Sequence, residues 1–243
     1  MIVDGKFVKV WGYEKKIPLL WGIDYLTHDV PVFDLAVSEN YAAWLKYFGY
    51  LKSIRYPLQI LICDDNENIK QAVKYMFPNV IIQTCQNHFL ENIRRDLQVR
   101  TDERHRPFVE DLKLFLFSKK FQREDFKQRA FKLFKKYKQD QIAVSYLLKI
   151  NANFQELTAS TLVSGAPRTT NLIELYNSHL ETRLKSIKGF KSFHSAEKWL
   201  NAYIIKRRLK PFTSCSKKFR FLNGKTSISQ TLKKEAVLPL LSI

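Results

Sequence analysis

The stretch Gln59 to Asn92, QILICDDNENIKQAVKYMFPNVIIQTCQNHFLEN, decides the fold class. Gln59 to Cys63 is a short apolar run. Asn66 to Phe77 then places Ile69, Val73, Met76 and Phe77 at helical spacing, and Val80 to Ile82 is a second β-branched run. Strand, helix and strand in that order predict two parallel strands, with Asp64 and Asp65 on the turn after the first. In open α/β sheets that carboxyl end is the ligand-binding edge.

Upstream, Met1 to Val10, Ile17 to Tyr25 and Val30 to Val37 read as three antiparallel strands. The turn-like groups Gly12-Tyr13-Glu14 and Thr27-His28-Asp29 separate them. Ser38 is the expected N-cap of a helix with Tyr41, Trp44, Leu45, Phe48 and Leu51 on one face. Antiparallel meander, helix, strand, helix, strand is the order of a ribonuclease H-like mixed α/β sheet.

Downstream, His88 to Leu97 reads as a helix, and strand signals are missing from about Arg104 to Ala159. Amphipathic segments such as Phe108 to Phe117 and Phe121 to Tyr137 predict an all-helical insertion there. Ser164-Gly165-Ala166-Pro167 ends it. Thr170 to Ile187 then predicts a long helix with Ile173, Tyr176, Leu180, Leu184 and Ile187 at helical spacing, followed by a loop at Gly189 and a helix from Ala196 to Leu209. The expected organisation is a first core part over residues 1–97, a helical insertion over 98–163, a core-completing helix over 164–190 and a basic helical tail over 191–243.

A hydrophobic content of 45% with 14% aromatics fits a folded soluble protein rather than a disordered one. Lys and Arg outnumber Asp and Glu 41 to 23, and the excess is local. Residues 1–95 carry 11 basic and 10 acidic side chains, whereas residues 183–234 carry 15 basic side chains against Glu197 alone. A near-neutral α/β half joined to a basic end predicts a polyanionic partner, nucleic acid first. No apolar run is long enough to cross a bilayer, no signal peptide is expected, and the basic region lacks the amphipathic Lys/Arg-plus-Trp pattern of interfacial helices, so no membrane partner is expected. Cytosol or nucleus is the expected location. Cys63, Cys85 and Cys215 are read as reduced thiols.

Three acidic positions carry candidate chemistry: Asp4 in the first strand, Asp64 after the fourth, and Glu174 near the start of the long helix. Two-metal phosphoryl transfer needs hard oxygen ligands of this kind. Each position also has a local reading. Asp4-Gly5 is a hairpin dipeptide, and Asp64 with Glu67, like Asn171 with Glu174, has the spacing of a capping pair. Cys85-Gln86-Asn87-His88 has half the spacing of a structural zinc site, but the other half is missing, which favours buried polar contacts. In the basic region, Phe190, Phe193, Trp199, Tyr203, Phe212, Phe219 and Phe221 are interleaved with the cations. Shared helical spacing of Trp199, Tyr203 and Ile204 favours a core role over base stacking.

With those residues in place the chain resembles the Mutator-like DDE transposases, the group that includes bacterial mutator-type insertion-sequence enzymes. Four pieces match in order: VDGKFVKV around Asp4, CDDNENIKQAVKYMFPNV from Cys63 through Asp64, QTCQNH with Cys85 and His88, and RTTNLIELYNSHLETRLK around Glu174. The resemblance implies that Asp4, Asp64 and Glu174 are the catalytic, metal-holding carboxylates, with Asp64 rather than Asp65 as the second. It implies two Mg²⁺ or Mn²⁺ ions, 3′-end cleavage at transposon ends, and attack of the freed hydroxyl on target DNA. Cys85 and His88 would support the site or touch DNA, and Asn171 would orient the glutamate. Arg168, Arg183, Lys185, Lys188, Arg207, Arg208, Lys210, Lys217 and Lys218 are the cations assigned to DNA. A homo-oligomer on paired ends is implied, in a nucleoid-associated cytoplasmic setting or a nucleus according to the source.

Family members usually carry a substantial N-terminal region for recognising element ends, whereas this sequence starts three residues before Asp4. A truncated copy, a late start codon, or a catalytic part with a separately encoded partner is therefore expected, and such a form could be inactive. The competing readings are a non-catalytic DNA-binding derivative and a ribonuclease H-like nuclease that cuts without joining.

Overall fold

The computed structural model describes residues 1–118 and 123–234. The first two positions of the expected Phe121–Tyr137 helix and the end of the tail from 235 lie outside them. In chain order the elements are β1 (Ile2–Val8), β2 (Ile17–Ile23), β3 (Phe33–Leu35), α1 (Tyr41–Ser53), β4 (Ile60–Cys63), α2 (Glu67–Met76) and β5 (Ile81–Thr84). There follow α3 (Gln86–Asp96), α4 (Arg106–Leu116), α5 (Arg123–Tyr137), α6 (Gln141–Ala152), α7 (Phe154–Thr158), α8 (Asn171–Ile187), α9 (Phe193–Leu209) and α10 (Ser227–Leu232). The strands form one mixed sheet of order β3-β2-β1-β4-β5, compatible with a ribonuclease H-like fold.

The chain divides into two compact units, the first made of Met1–Pro57, Gln71–Pro78 and the chain from Asn171 onward. In it β1 and β2 pair antiparallel with Asp4 opposite Trp21 and Gly5 opposite Leu20, so Asp4-Gly5 lies inside a strand and not in a hairpin turn. β2 is buried at all of its positions, as expected of a strand covered on both faces. One cover is α1, whose Trp44, Tyr47, Phe48 and Leu51 are buried and whose rings pack at centroid distances of 5.2 to 5.9 Å. Tyr47 takes the place expected of Tyr41 and Leu45, which are only half-buried. Gly22 of β2 permits this approach, because a Cβ there would lie 2.5 Å from the Tyr47 hydroxyl and 2.6 Å from Met1 Sδ.

The N-cap of α1 is Asn40, whose side chain accepts from the Ala43 N–H, and not Ser38, whose hydroxyl instead accepts from Asn40 Nδ2. At the other end of this unit α8 buries Ile173, Tyr176 and Leu180, and the Tyr176 hydroxyl donates to the His28 carbonyl at 2.8 Å. Ser192 caps α9 through a reciprocal bond with Ser195. The described part of the basic tail belongs to the same packing. Phe219 lies 4.4 Å from the His28 ring and 5.3 Å from Tyr25, and Phe212 lies 5.8 Å from His28. Asp29, fully buried, receives two bonds from Arg208 at 2.8 and 2.9 Å and one from the Ser227 hydroxyl at 3.0 Å.

The second unit, Leu58–Lys70 with Asn79–Thr170, contains the parallel pair β4 and β5, with Ile60 opposite Ile81 and Cys63 opposite Thr84. Asn66 accepts from the Asn68 N–H just before α2, so Asn66 and not Asp64 serves as the local cap. The helical segment has its own apolar interior of Phe89, Ile93, Phe108, Leu112, Phe115, Phe126, Leu147, Ile150 and Leu157, joined by neighbours on α3 to α7. Buried Gln83 fastens β5 to it, donating to the Leu157 carbonyl at 3.2 Å and accepting from the Ser160 N–H at 2.6 Å.

Candidate active site

In the second unit the parallel pairing extends one step past β5, with the Cys85 N–H donating to the Cys63 carbonyl at 2.8 Å. Asp64 directly follows β4 and Cys85 directly follows β5, so adjacent strand ends carry both residues. His88 lies in the first turn of α3. Its Nδ1 is 2.5 Å from Asp64 Oδ1. Thr170 closes the group: its N–H and hydroxyl donate to the buried Cys85 Sγ at 3.3 and 3.2 Å, and its Oγ1 lies 3.1 Å from His88 Nδ1. The hydrogen bond with Asp64, followed by that with Cys85, outweighs burial and pushes the His88 imidazole up to about 11. The His88 ring is therefore protonated at neutral pH.

The neighbouring carboxylate has a different partner. Asp65 lies 2.5 Å from the Lys70 ammonium, which also meets Glu156 at 2.7 Å, and Glu156 accepts from the Thr84 hydroxyl at 2.8 Å. Burial alone would lower the Lys70 pKa, but the bonds to Asp65 and Glu156 prevail and hold it above its ordinary value. Asp65 is thus tied into a structural ion-pair group.

In the first unit Asp4 is organised by α8. Asp4 Oδ2 accepts from Asn177 Nδ2 at 2.6 Å, Oδ1 accepts from the Gly5 N–H at 2.8 Å, and Asn177 Oδ1 accepts from the Trp21 indole at 3.2 Å. Two residues along β1 and one turn further along α8, Lys6 meets Glu181 at 2.7 Å. The strand period of two and the helical period thus run in step. Glu174, exposed in the first turn of α8, precedes Asn177 by one turn, and Asn171 precedes Glu174 by another. The expected acidic residues are thus distributed as Asp4 and Glu174 in the first unit and Asp64 in the second.

Among the expected DNA-facing cations, Arg168 donates to the carbonyls of Leu116 and Ser118, and Arg208 is bound to Asp29. Lys218 sits 4.7 Å above the Tyr25 ring and Arg207 3.7 Å above Tyr176. Arg183 and Arg207 line an open groove with Trp199 and Tyr203, while Lys185 and Lys188 line a smaller cleft beside Phe7. Lys210 and Lys217 are exposed.

The carboxylates offer hard oxygen donors suited to Mg²⁺ or Mn²⁺. Asp64, Cys85 and His88 also present ligand atoms all within 4.8 Å of one another, a softer mixed set. The bonds from Thr170 to Cys85 account for the position of that thiol without an ion. Sequence reasoning missed the joining of Asp64 with His88, the Lys70 group and the role of Asn177. For Asn177 a signal existed: it follows Glu174 at the i+3 spacing of one helix face.

Comparison with known proteins then identifies the family. The sequence profile of the Mutator family of transposases matches residues 27–208, and the chain belongs to that family. Similar relatives are the transposases for insertion sequence element IS256 in transposon Tn4001 from Staphylococcus aureus and Enterococcus faecalis, each 25% identical over 177 residues. The aligned part is 71% of this chain and 44% of each relative, so the chain covers less than half of their length. The match includes Asp64, Cys85, His88 and Glu174 and begins after Asp4. Among the described residues no helix is long and apolar enough to cross a membrane.

Proposed function

We propose that this chain is the catalytic region of a DDE transposase, in which Asp4, Asp64 and Glu174 together hold two divalent cations and direct phosphoryl transfer on DNA. The observation that carries this reading is the Asp4–Asn177 bond, which organises the first acidic position by the helix that carries Glu174 one turn earlier. Engagement of Asp65 by Lys70 supports Asp64 as the second. A bound pair of Mg²⁺ or Mn²⁺ ions would lower the pKa of the attacking water or hydroxyl and neutralise charge on the scissile phosphate.

The protein's own groups have distinct tasks. Asn177 fixes the rotamer of Asp4, and His88 holds Asp64 at the strand end. Thr170, bonded to Cys85, immediately precedes the helix that bears Glu174, so the Cys-x-x-His element acts as a positioning device. Asn171, at the first position of that helix, belongs to the same support. The substrates would be DNA ends and target DNA, engaged by the basic side chains as a homo-oligomer.

The test is incubation of the purified chain with labelled DNA from the flanks of its coding region plus Mg²⁺ or Mn²⁺. Metal-dependent nicking and joining, lost in Asp64→Asn and Glu174→Gln, are expected. Nicking without joining would make the protein a nuclease, and equal activity in both variants would remove the assignment.

A further inference from the structure

We propose that the groove between α8 and α9 holds an unstacked nucleobase of single-stranded or frayed DNA, with the flanking phosphates on its basic rim. This deepens the DNA-processing reading, on which it rests. The groove, about 710 Å³, is lined by His179, Arg183, Trp199, Tyr203, Lys206 and Arg207 among others. All belong to helices of the first unit. Its size lies within the range of ligand-binding clefts.

Trp199 and Tyr203 occupy one side as a stacked pair, with ring centroids 5.3 Å apart and planes within 8° of parallel. Both are half-buried rather than enclosed, while Ile204 on the same helix is buried. The helical spacing that suggests a core role for all three is therefore met by Ile204 alone, and the stacked pair forms a partly exposed aromatic ledge along the groove. Aromatic rings left partly open are the usual platform for unpaired bases, because every base has a π-face and bases inside a duplex keep theirs covered.

The charge around the ledge fits the same ligand. Arg183, Lys206 and Arg207 contribute three cations, and no lining residue of this groove is acidic. Arg207 is pre-positioned by stacking on the Tyr176 ring at 3.7 Å. A planar cation held in this way suits a phosphate oxygen beside a stacked base. Cations of one sign around an aromatic ledge match an anionic chain with aromatic side groups, and match an apolar peptide helix poorly.

The test is fluorescence anisotropy with short oligothymidylate and an oligomer of equal length and charge whose central nucleotides are abasic. Wild type should bind the abasic oligomer about tenfold more weakly, the loss expected when base stacking disappears and phosphate contacts remain. Trp199→Ala with Tyr203→Ala should abolish that difference, and Trp199→Phe with Tyr203→Phe should restore most of it. Equal affinity of wild type for the two oligomers would overturn the proposal even if the alanine variant fails to fold, and so would discrimination that survives in a folded alanine variant. Loss of nicking in the transposase assay with discrimination intact would remove the catalytic reading alone. Equal affinities with nicking intact would remove the base site alone, and no binding to DNA of any form would remove both.

Discussion

Asn177 and Lys70 set the local geometry around the acidic positions without being acidic themselves. Removing the amide in Asn177→Ala frees the Asp4 carboxylate to leave its bonded rotamer. Misplacement of a reacting group by about 1 Å lowers turnover on the order of 10²-fold, so nicking should fall by that factor. The same change leaves the buried Trp21 indole without its acceptor, a stability loss of about 1 kcal/mol. Lys70→Met acts mainly on stability. It leaves Asp65 and Glu156 without their shared cation, and removing one partner of a mostly buried pair costs about 3 kcal/mol, the lower end of the range because both carboxylates are partly exposed. Urea denaturation should show the loss, and an unchanged midpoint would mean the ion-pair group contributes nothing.

These contacts also mark where the sequence stopped being readable. Asp4 and Asn177 are 173 residues apart, and no local period encodes a hydrogen bond over that separation. The helical placement of Glu174, by contrast, was legible from its periodic pattern, and the position of Asp64 after a strand from the apolar run before it. Asp64 and Asp65 differ in their partners, His88 for one and Lys70 for the other, which two identical adjacent side chains cannot express in sequence.

Among the elements, β4, α2 and β5 follow the sequence pattern within a residue or two because their apolar periods switch sharply between two and helical spacing. The start of α1 was displaced from Ser38 to Asn40 because both residues are good caps, and the serine hydroxyl binds the asparagine side chain instead. Trp199 and Tyr203 share a helical stripe with Ile204, and periodicity alone did not separate an enclosed position from a rim position.

The loop between β2 and β3 yields a pH prediction. His28 is lowered from 6.5 to about 4, first by burial, with Arg207 acting in the same direction and Asp24 opposing. The unfolded chain therefore takes up its proton first as pH falls, so this contribution to stability is complete above 6.5 and is lost progressively toward 4. Thermal unfolding measured from neutral pH downward should show that decline, and His28→Asn, which tolerates the positive φ of 56° at this position, should flatten it.

Across the whole molecule the formal charge of +18 predicts salt-sensitive binding to DNA, with log affinity falling by about 0.9 per phosphate neutralised for each log unit of salt. Lys210→Gln and Lys217→Gln should each reduce that slope by roughly one contact, in an anisotropy series over increasing salt, if these exposed cations face phosphates. Arg208→Gln should instead lower stability, because its guanidinium is the bidentate partner of the buried Asp29. The compositional excess of positive charge therefore contains side chains with unrelated duties.

The bond from Ser227 to Asp29 has a practical corollary for anyone preparing the protein. Family resemblance stops at residue 208, which invites a cut there, yet such a cut would strip the hydroxyl from an anion that has no access to water, along with Phe212 and Phe219 from the face of His28. The homologous boundary and the folding boundary are different places on this polypeptide, and soluble material will come from the longer cut.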